Sequence, residues 1–331
     1  MGTPVDPVPD VVQRALTDSA DAPGYPTVHG TEGLRSAALR WMGRRLAVTG
    51  ASVDAVLPAI GTKELVASMP MLLGLGPRSR VMVPELAYPT YDIGARVVGA
   101  EVLAADSTTA VGPGRVDLVW VNSPSNPTGR VLPVEHLRKM VTWARERGAV
   151  LVSDECYVEL GWDAPPVSVL HPDVCGDSHD GVLALHSLSK RSNLAGYRAG
   201  FVAGDPALVA VLLEARKHLG LMMPTPVQAA MAAALDDDAH VVEQRGRYSA
   251  RRQLLLAALR EAGFTVEHSE AGLYLWVTRG ESCMDTLSWF AERGILVAPG
   301  DFYGPTGARH VRVALTASDE RVEAGGQRIA G

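Results

Sequence analysis

Several features that this sequence lacks exclude classes of protein. Its 331 residues include only three cysteines, Cys156, Cys175 and Cys283, which lie far apart and form no CxxC pair, and its nine histidines show no HxxxH or HxH spacing. We therefore expect a reducing compartment and no metal site. No apolar run is long and continuous enough to span a bilayer, and the first residues lack the basic and apolar regions of a signal peptide. These absences predict a cytoplasmic protein that has no membrane contact.

The charge balance also excludes a class of partner. The chain has 31 Lys and Arg against 37 Asp and Glu, a net charge of −6, and no basic run stands out. Nucleic acid is therefore a poor candidate partner. The content of 47% hydrophobic and 21% charged residues is ordinary for a globular enzyme, and the length is sufficient for two domains.

Apolar runs alternate with amphipathic segments along most of the chain. The nearly unbroken run Ala149 to Ser153 is typical of a strand buried in a parallel sheet. The acidic break Asp236 to Asp238 is the best candidate for a domain boundary, and the strands and helices after it suit a smaller α+β domain. We predict an α/β fold with a large domain, 25–236, around a mostly parallel central sheet, and a small domain, 1–24 and 237–331.

The segment Ser187-Leu-Ser189-Lys190 follows the apolar run that begins at Val182, and Arg198 comes eight residues after the lysine. A lysine at the end of a strand can form a Schiff base with an aldehyde cofactor, and Ser187, Ser189 and Arg198 can hold that cofactor's phosphate. The alternative is that Lys190 is a solvated loop lysine, and the segment alone does not decide between the two interpretations.

Other polar residues stand at predicted strand ends. Asn126 lies in Ser123-Pro-Ser-Asn-Pro-Thr-Gly129, a turn that we expect to direct its amide into a cleft, with a cis Asn-Pro bond as one option. Asp154 and Tyr157 follow the buried run, where a carboxylate is costly unless a cation such as a protonated pyridine meets it. Since strand ends share one edge of a parallel sheet, we expect Asn126, Asp154, Tyr157, Lys190 and Arg198 to converge there.

These motifs, in this order and spacing, resemble those of class I/II aminotransferases, the fold type I enzymes that use pyridoxal 5′-phosphate (PLP). The resemblance extends over nearly the whole chain and implies an aspartate-aminotransferase-like fold. It implies that Lys190 carries the cofactor and then moves a proton, that Asp154 keeps the pyridine nitrogen protonated, and that Tyr157 and Asn126 bind the phenolic oxygen. Arg312 matches the arginine that binds the substrate carboxylate, with Arg309 as a nearby rival.

The resemblance assigns further cofactor contacts. Gly61, Thr62 and Lys63 open a helix whose free N–H groups suit a phosphate, although a threonine at a helix start needs no ligand. Tyr88 matches the aromatic residue that stacks on the ring, with a core aromatic as the alternative. Tyr25 matches the tyrosine that reaches the neighbouring subunit's phosphate, which implies a homodimer with shared active sites; a plain loop tyrosine is equally compatible.

Gly2 matches a residue near the substrate carboxylate, in a segment that follows a helix and a strand in the family. This sequence begins after those two elements, so we expect that either its start is misassigned or the chain lacks part of the N-terminal arm.

Five stretches of the sequence resemble actinobacterial-type succinyldiaminopimelate aminotransferase especially closely, including Gly61 to Val66, Pro84 to Tyr91 and Ala298 to Gly304. The resemblance implies transfer of an amino group from glutamate to N-succinyl-2-amino-6-oxopimelate, in lysine and diaminopimelate biosynthesis. The partners would then be small molecules, namely amino acids and 2-oxo acids. The alternatives are another amino acid specificity, a PLP lyase or decarboxylase on the same fold, or a pseudoenzyme.

Overall fold

Two separate sheets organise residues 2–331, which are the residues described by the structure, a computed structural model. Their strands are β1 Val56–Ile60, β2 Arg80–Val83, β3 Glu101–Ala104, β4 Leu118–Asn122, β5 Val150–Asp154, β6 Val182–Ser187, β7 Ala199–Gly204, β8 Thr265–Glu267, β9 Tyr274–Thr278, β10 Ala298–Pro299 and β11 Val311–Ala314. The first seven strands form one sheet, and the last four form the other.

The larger sheet has the order β1-β7-β6-β5-β4-β2-β3. Only β7 runs antiparallel to its neighbours β1 and β6, and the remaining pairs are parallel. Strands β4 and β6 are buried along their whole length, as expected for a sheet covered on both faces. The predicted α/β fold with a mostly parallel central sheet is confirmed.

Helices cover both faces of the larger sheet and one side of the smaller one. They are α1 Asp10–Asp18, α2 Glu32–Leu46, α3 Thr62–Leu72, α4 Thr90–Val97, α5 Thr108–Val111, α6 Val134–Glu146, α7 Pro172–Cys175, α8 Leu188–Arg191, α9 Pro206–Leu219, α10 Thr225–Asp236, α11 Ala239–Glu261, α12 Cys283–Glu292 and α13 Asp319–Ala330. Short 3₁₀ turns span Val53–Ala55, Gly300–Tyr303 and Pro305–Gly307.

Three apolar clusters hold these layers together. One joins α2, α6 and α10 to one face of the larger sheet, and a second joins α3, α4 and α9 to the opposite face. The third lies between the smaller sheet and α11, α12 and α13. Burial of apolar side chains on both faces is the main source of stability in such a layered fold.

The smaller sheet is antiparallel throughout, with the order β10-β11-β9-β8. The sequence predicts a strand from Ile295 to Ala298, but pairing begins only at Ala298. Helix α13 continues through Gly325 and Gly326 although glycines weaken helices. A Cβ at Gly326 would lie 2.4 Å from Leu254 Cδ2 of α11, so the glycine allows the two helices to pack closely.

The boundary at residues 236–238 and the assignment of residues 1–24 to the small domain stay predictions. Asp6 connects the N-terminal segment to the second unit, since both its carboxylate oxygens accept hydrogen bonds from Arg251, at 2.6 and 2.8 Å. Helix α1 instead contributes Val12 to the apolar cluster of α2, α6 and α10. The N-terminal segment therefore contacts both units.

Candidate active site

A cavity of about 870 Å³ borders the carboxyl edge of the larger sheet, where β4, β5 and β6 end side by side. The smaller sheet closes it from the other side. Twelve of the residues predicted from the sequence line this cavity: Gly2, Thr62, Lys63, Tyr88, Asn126, Asp154, Tyr157, Ser187, Ser189, Lys190, Arg198 and Arg312. The shared edge of parallel strands therefore brings together residues that are up to 310 positions apart in the sequence.

Lys190 stands on α8, the single helical turn that follows β6. The Ser187 side chain caps this turn by accepting a hydrogen bond from the Ser189 N–H at 3.2 Å. Lys190 Nζ lies in the cavity and donates to the Gly2 carbonyl at 2.6 Å. Burial, aided by the positive charges of Arg312 and Arg198, lowers the pKa of Lys190 from 10.5 to about 8, although the Cys156 thiol opposes this. Roughly a tenth of the amine is therefore neutral at pH 7.

Asp154 ends the buried strand β5 and is itself buried. One carboxylate oxygen accepts a hydrogen bond from the Tyr91 hydroxyl at 2.8 Å, and the other accepts one from the Cys156 N–H at 3.2 Å. Burial raises the pKa of Asp154, and no Lys, Arg or His of the described chain forms an ion pair with it. The carboxylate therefore faces the cavity without a cation to balance its charge.

A hydrogen-bonded turn positions Asn126. The Asn122 side chain accepts from the Asn126 N–H at 2.7 Å and donates to the carbonyls of Pro124 and Asp154, so the turn is attached to the end of β5. The peptide bonds before Pro124 and Pro127 are both cis, the second as the sequence suggests. The Asn126 side-chain oxygen accepts from Arg312 Nη1 at 2.7 Å.

Arg312 reaches the cavity from β11 of the smaller sheet. Its guanidinium lies 3.8 Å from the centre of the Tyr274 ring, and its buried Nε has no hydrogen-bond partner within residues 2–331. Its rival Arg309 is exposed and donates to the Gly280 carbonyl, away from the cavity. Between the two arginines, the geometry favours Arg312 as a ligand for an anion.

The hydroxyl of Tyr157 lies 3.2 Å from the hydroxyl of Tyr274. Burial, with the proximity of Tyr274, raises the pKa of Tyr157 well above its usual range. This phenol therefore remains protonated and able to donate a hydrogen bond.

The far end of the cavity is arranged around Arg198 and the start of α3. Gly61 precedes the helix with φ +77°, and a Cβ there would lie 2.3 Å from Arg198 Nη2, so only glycine leaves room for the guanidinium. Gly61 itself does not line the cavity, whereas Thr62 and Lys63, at the first turn, do. Free N–H groups of a helix start next to an arginine form a good anion site.

Tyr88 lies at the cavity wall, with the Lys63 ammonium 5.8 Å from its ring centre. It packs edge to face against Tyr91. By contrast, Tyr25 is 97% exposed and lies outside the cavity, so this chain alone gives it no contact with the other predicted residues.

Several residues that line the cavity were not assigned to the site from the sequence. Tyr91 stands in the same motif as Tyr88, three positions on, and its apolar surroundings gave no sign of the bond to Asp154. Tyr274, Leu296, Phe302 and Tyr303 belong to the small unit, and nothing local in their sequence indicates that they face the larger sheet.

The site fits a phosphorylated ring aldehyde. The unbalanced buried carboxylate of Asp154 suits a protonated ring nitrogen, the amine of Lys190 suits the aldehyde, and Arg198 beside the start of α3 suits the phosphate. Within residues 2–331, no group of three or more His, Cys, Asp or Glu is placed to hold a metal ion. Nor does any helix in that range have the length and apolar character needed to cross a membrane.

Comparison with known proteins identifies the family. The family model for aminotransferase class I and II matches residues 2–329. A probable aminotransferase of Mycobacterium tuberculosis, Rv1178, is 64% identical over 98% of this chain and 78% of its own length. The 4-dedimethylamino-4-oxo-anhydrotetracycline transaminase OxyQ of Streptomyces rimosus is 59% identical over 99% of this chain and 91% of its own length.

A solved structure has a closely similar fold. N-Succinyldiaminopimelate aminotransferase from Mycobacterium tuberculosis superposes with a TM-score of 0.91 at 26% identity, covering all of this chain and 91% of the other. The family model and both relatives match nearly the whole chain, so the matches include the strand ends of the larger sheet as well as the small unit. This chain therefore belongs to the class I and II aminotransferases, a PLP-dependent family of fold type I enzymes.

Proposed function

We propose that this chain transfers the amino group of glutamate to a 2-oxo acid in the cavity at the sheet edge. The amino group and the carbonyl oxygen exchange places, so the products are 2-oxoglutarate and a new amino acid, with no external oxidant. The observation that supports this best is that Lys190, Asp154 and Arg312 line one cavity. An amine, a carboxylate and a guanidinium in one enclosed space match the chemical needs of this exchange.

Bound PLP supplies an aldehyde for amine exchange and a ring that withdraws electrons from the substrate α-carbon. Asp154 would hold the ring nitrogen, and its burial strengthens that interaction because little water competes. Arg198, Thr62 and the free N–H groups of α3 would hold the phosphate. Tyr88 would cover a ring face, and Asn126 and Tyr157 would donate to the ring oxygen.

Lys190 would move a proton to and from the substrate α-carbon after its amine is released. Its pKa of about 8 suits this role, since a general base works best when its pKa lies near the working pH. The hydrogen bond that its amine donates to the Gly2 carbonyl, another residue of the cavity lining, supports a position of the amine inside the cavity.

Arg312 would bind the α-carboxylate of each substrate. Two features support this role: the unpaired Nε, which leaves one donor free, and the bond from Nη1 to Asn126, which fixes the plane of the guanidinium. A planar guanidinium binds a carboxylate through two parallel hydrogen bonds.

For the acceptor, we propose N-succinyl-2-amino-6-oxopimelate, in lysine and diaminopimelate biosynthesis. The similar stretches of sequence and the fold shared with the succinyldiaminopimelate enzyme support it. A second candidate is a larger cyclic ketone, supported by the 59% identity to a transaminase named for an oxo-anhydrotetracycline.

We further propose a cytoplasmic homodimer. The three cysteines are free, as in reducing compartments, and Tyr25 is fully available for the cross-subunit contact that the family resemblance implies. Sedimentation analysis of the purified protein tests the dimer, and a monomeric holoenzyme with full activity would refute shared active sites.

Peptide mapping tests the role of Lys190. The chain has just four lysines, Lys63, Lys139, Lys190 and Lys217. Borohydride reduction of the PLP-loaded protein, followed by digestion and mass spectrometry, should locate the pyridoxyl mass on Lys190. The variants Lys139→Ala and Lys217→Ala should keep the label and the activity, and Lys190→Ala should lose both. A label on another lysine, or none in the native protein, would refute the assignment.

A further inference from the structure

Two large apolar side chains of the cavity lining are exposed in this chain. Leu296 is 75% exposed and Phe302 is 59% exposed, and both line the cavity. Contact of such large apolar side chains with water is unfavourable, and a bound apolar group would relieve it. A group of exposed apolar side chains in a concave site generally marks a surface that a ligand covers.

These residues belong to an apolar part of the cavity lining, which we call the apolar wall. The wall comprises Leu296, Val297, Ala298, Pro299, Phe302 and Tyr303, and it contains no charged side chain. Asp301, which interrupts the segment, does not line the cavity.

The wall lies directly beside the arginine proposed to bind the substrate carboxylate. Ala298 of β10 pairs with Arg312 of β11 in the antiparallel register. The Arg312 guanidinium also lies 5.0 Å from the centre of the Tyr303 ring. A substrate anchored at Arg312 by its carboxylate therefore has this wall next to the rest of its carbon skeleton.

The cations of the cavity are not part of the wall. Four Lys and Arg side chains of this chain line it: Lys63, Lys190, Arg198 and Arg312. The proposed function uses Lys190 at the reacting carbon, Arg198 at the phosphate and Arg312 at the α-carboxylate. Lys63 lies on α3, close to Tyr88, and is not part of the wall. The wall consequently offers apolar contact and no charge.

We propose that this wall, with Leu296 and Phe302 as its two most exposed members, is an apolar subsite for the carbon skeleton of the acceptor beyond its reacting carbon. The enzyme then prefers 2-oxo acids that have several methylenes or a ring next to the oxo carbon over short 2-oxo acids. This inference rests on the proposed function and specifies which part of the site determines the acceptor. The three methylenes beside the oxo carbon of N-succinyl-2-amino-6-oxopimelate would occupy such a subsite, and so would the rings of the larger cyclic ketone.

A series of straight-chain 2-oxo acids tests the subsite. The holoenzyme is first converted to its pyridoxamine form with glutamate, and single-turnover kcat/KM is measured for 2-oxobutyrate, 2-oxohexanoate and 2-oxooctanoate. Each added methylene should raise kcat/KM about fourfold in the native enzyme, from about 0.8 kcal/mol per buried methylene. Leu296→Ala and Phe302→Ala should flatten this dependence, lowering the 2-oxooctanoate value by about tenfold and the 2-oxobutyrate value by less than about twofold.

Matched variants separate a subsite from a general defect. Met284→Ala removes an apolar side chain of the small unit that is 53% exposed and lies outside the cavity, and it should leave the whole series unchanged. Phe302→Leu retains apolar contact and should keep most of the dependence on chain length.

Two results would overturn the inference. In the first, the kcat/KM of the native enzyme does not rise with chain length; in the second, the wall variants lower kcat/KM for all three 2-oxo acids by the same factor. Failure of glutamate to convert the cofactor in the first step would instead refute the proposed function, and this is measured separately.

Discussion

Replacing Lys190 with methionine should stabilise the cofactor-free protein at neutral pH while abolishing its chemistry. The Lys190 amine is largely buried in the cavity and ionised at pH 7, with a pKa lowered from 10.5 to about 8 by burial and by Arg312 and Arg198. Keeping this charged amine buried destabilises the folded protein. Methionine has a similar length and no charge, so Lys190→Met removes that destabilisation and keeps most of the side-chain volume.

The expected magnitude follows from linkage between proton binding and folding. The folded protein binds the Lys190 proton less tightly than the unfolded chain does. The charged Lys190 amine therefore lowers the free energy of unfolding by its full amount below pH 8. This destabilisation becomes smaller as the pH rises and vanishes above pH 10.5. Each tenfold difference in proton affinity corresponds to about 1.4 kcal/mol, which gives a cost of about 3 kcal/mol at pH 7. Between pH 7 and pH 10, the advantage of Lys190→Met should shrink by about 2 kcal/mol.

Urea unfolding of the two cofactor-free proteins at several pH values measures this difference. The other titrating groups are common to both proteins and cancel in the comparison. An advantage that stays constant between pH 7 and pH 10 would show that Lys190 has no lowered pKa, and would refute the physical basis of its role as a base.

Two further predictions concern the ends of the cavity. Arg312→Leu should raise the KM for glutamate at least about a hundredfold, because the buried ion pair between the guanidinium and the α-carboxylate of glutamate is lost. Arg309→Leu should change this KM less than about twofold. Equal effects of the two variants in steady-state assays would contradict the choice of Arg312. Gly61→Ala places a methyl group against the Arg198 guanidinium and should weaken PLP binding at least about tenfold in a fluorescence titration. Gly74→Ala also has a positive φ, of +71°, but meets open space, and it should leave PLP affinity unchanged; equal losses would refute the steric reason.

The edge of the larger sheet was predictable from the sequence because local patterns determine it. Apolar runs mark the buried strands, and polar residues directly after them must lie at the shared carboxyl edge. The pattern therefore predicts that Asn126, Asp154 and Lys190 converge, and they line one cavity. The family resemblance, rather than the pattern, supplied the chemical role of each.

The contribution of the small unit was less predictable, because it depends on how two layers dock. Arg309 and Arg312 are three positions apart, and the choice between them depends on where β11 begins. The segment from Ile295 has a strand-like composition, yet Leu296 lines the cavity and pairing starts only at Ala298. Tyr91 was missed for a related reason, since its bond to Asp154 crosses between elements 63 residues apart.

A single-turnover experiment with ¹⁵N-labelled glutamate tests the central claim most directly. The PLP-loaded protein should release one 2-oxoglutarate per active site, retain the label on the cofactor, and pass it to an added 2-oxo acid, while Lys190→Ala should do none of these. Release of carbon dioxide, or of an unlabelled product without 2-oxoglutarate, would show a decarboxylase or lyase and contradict the account.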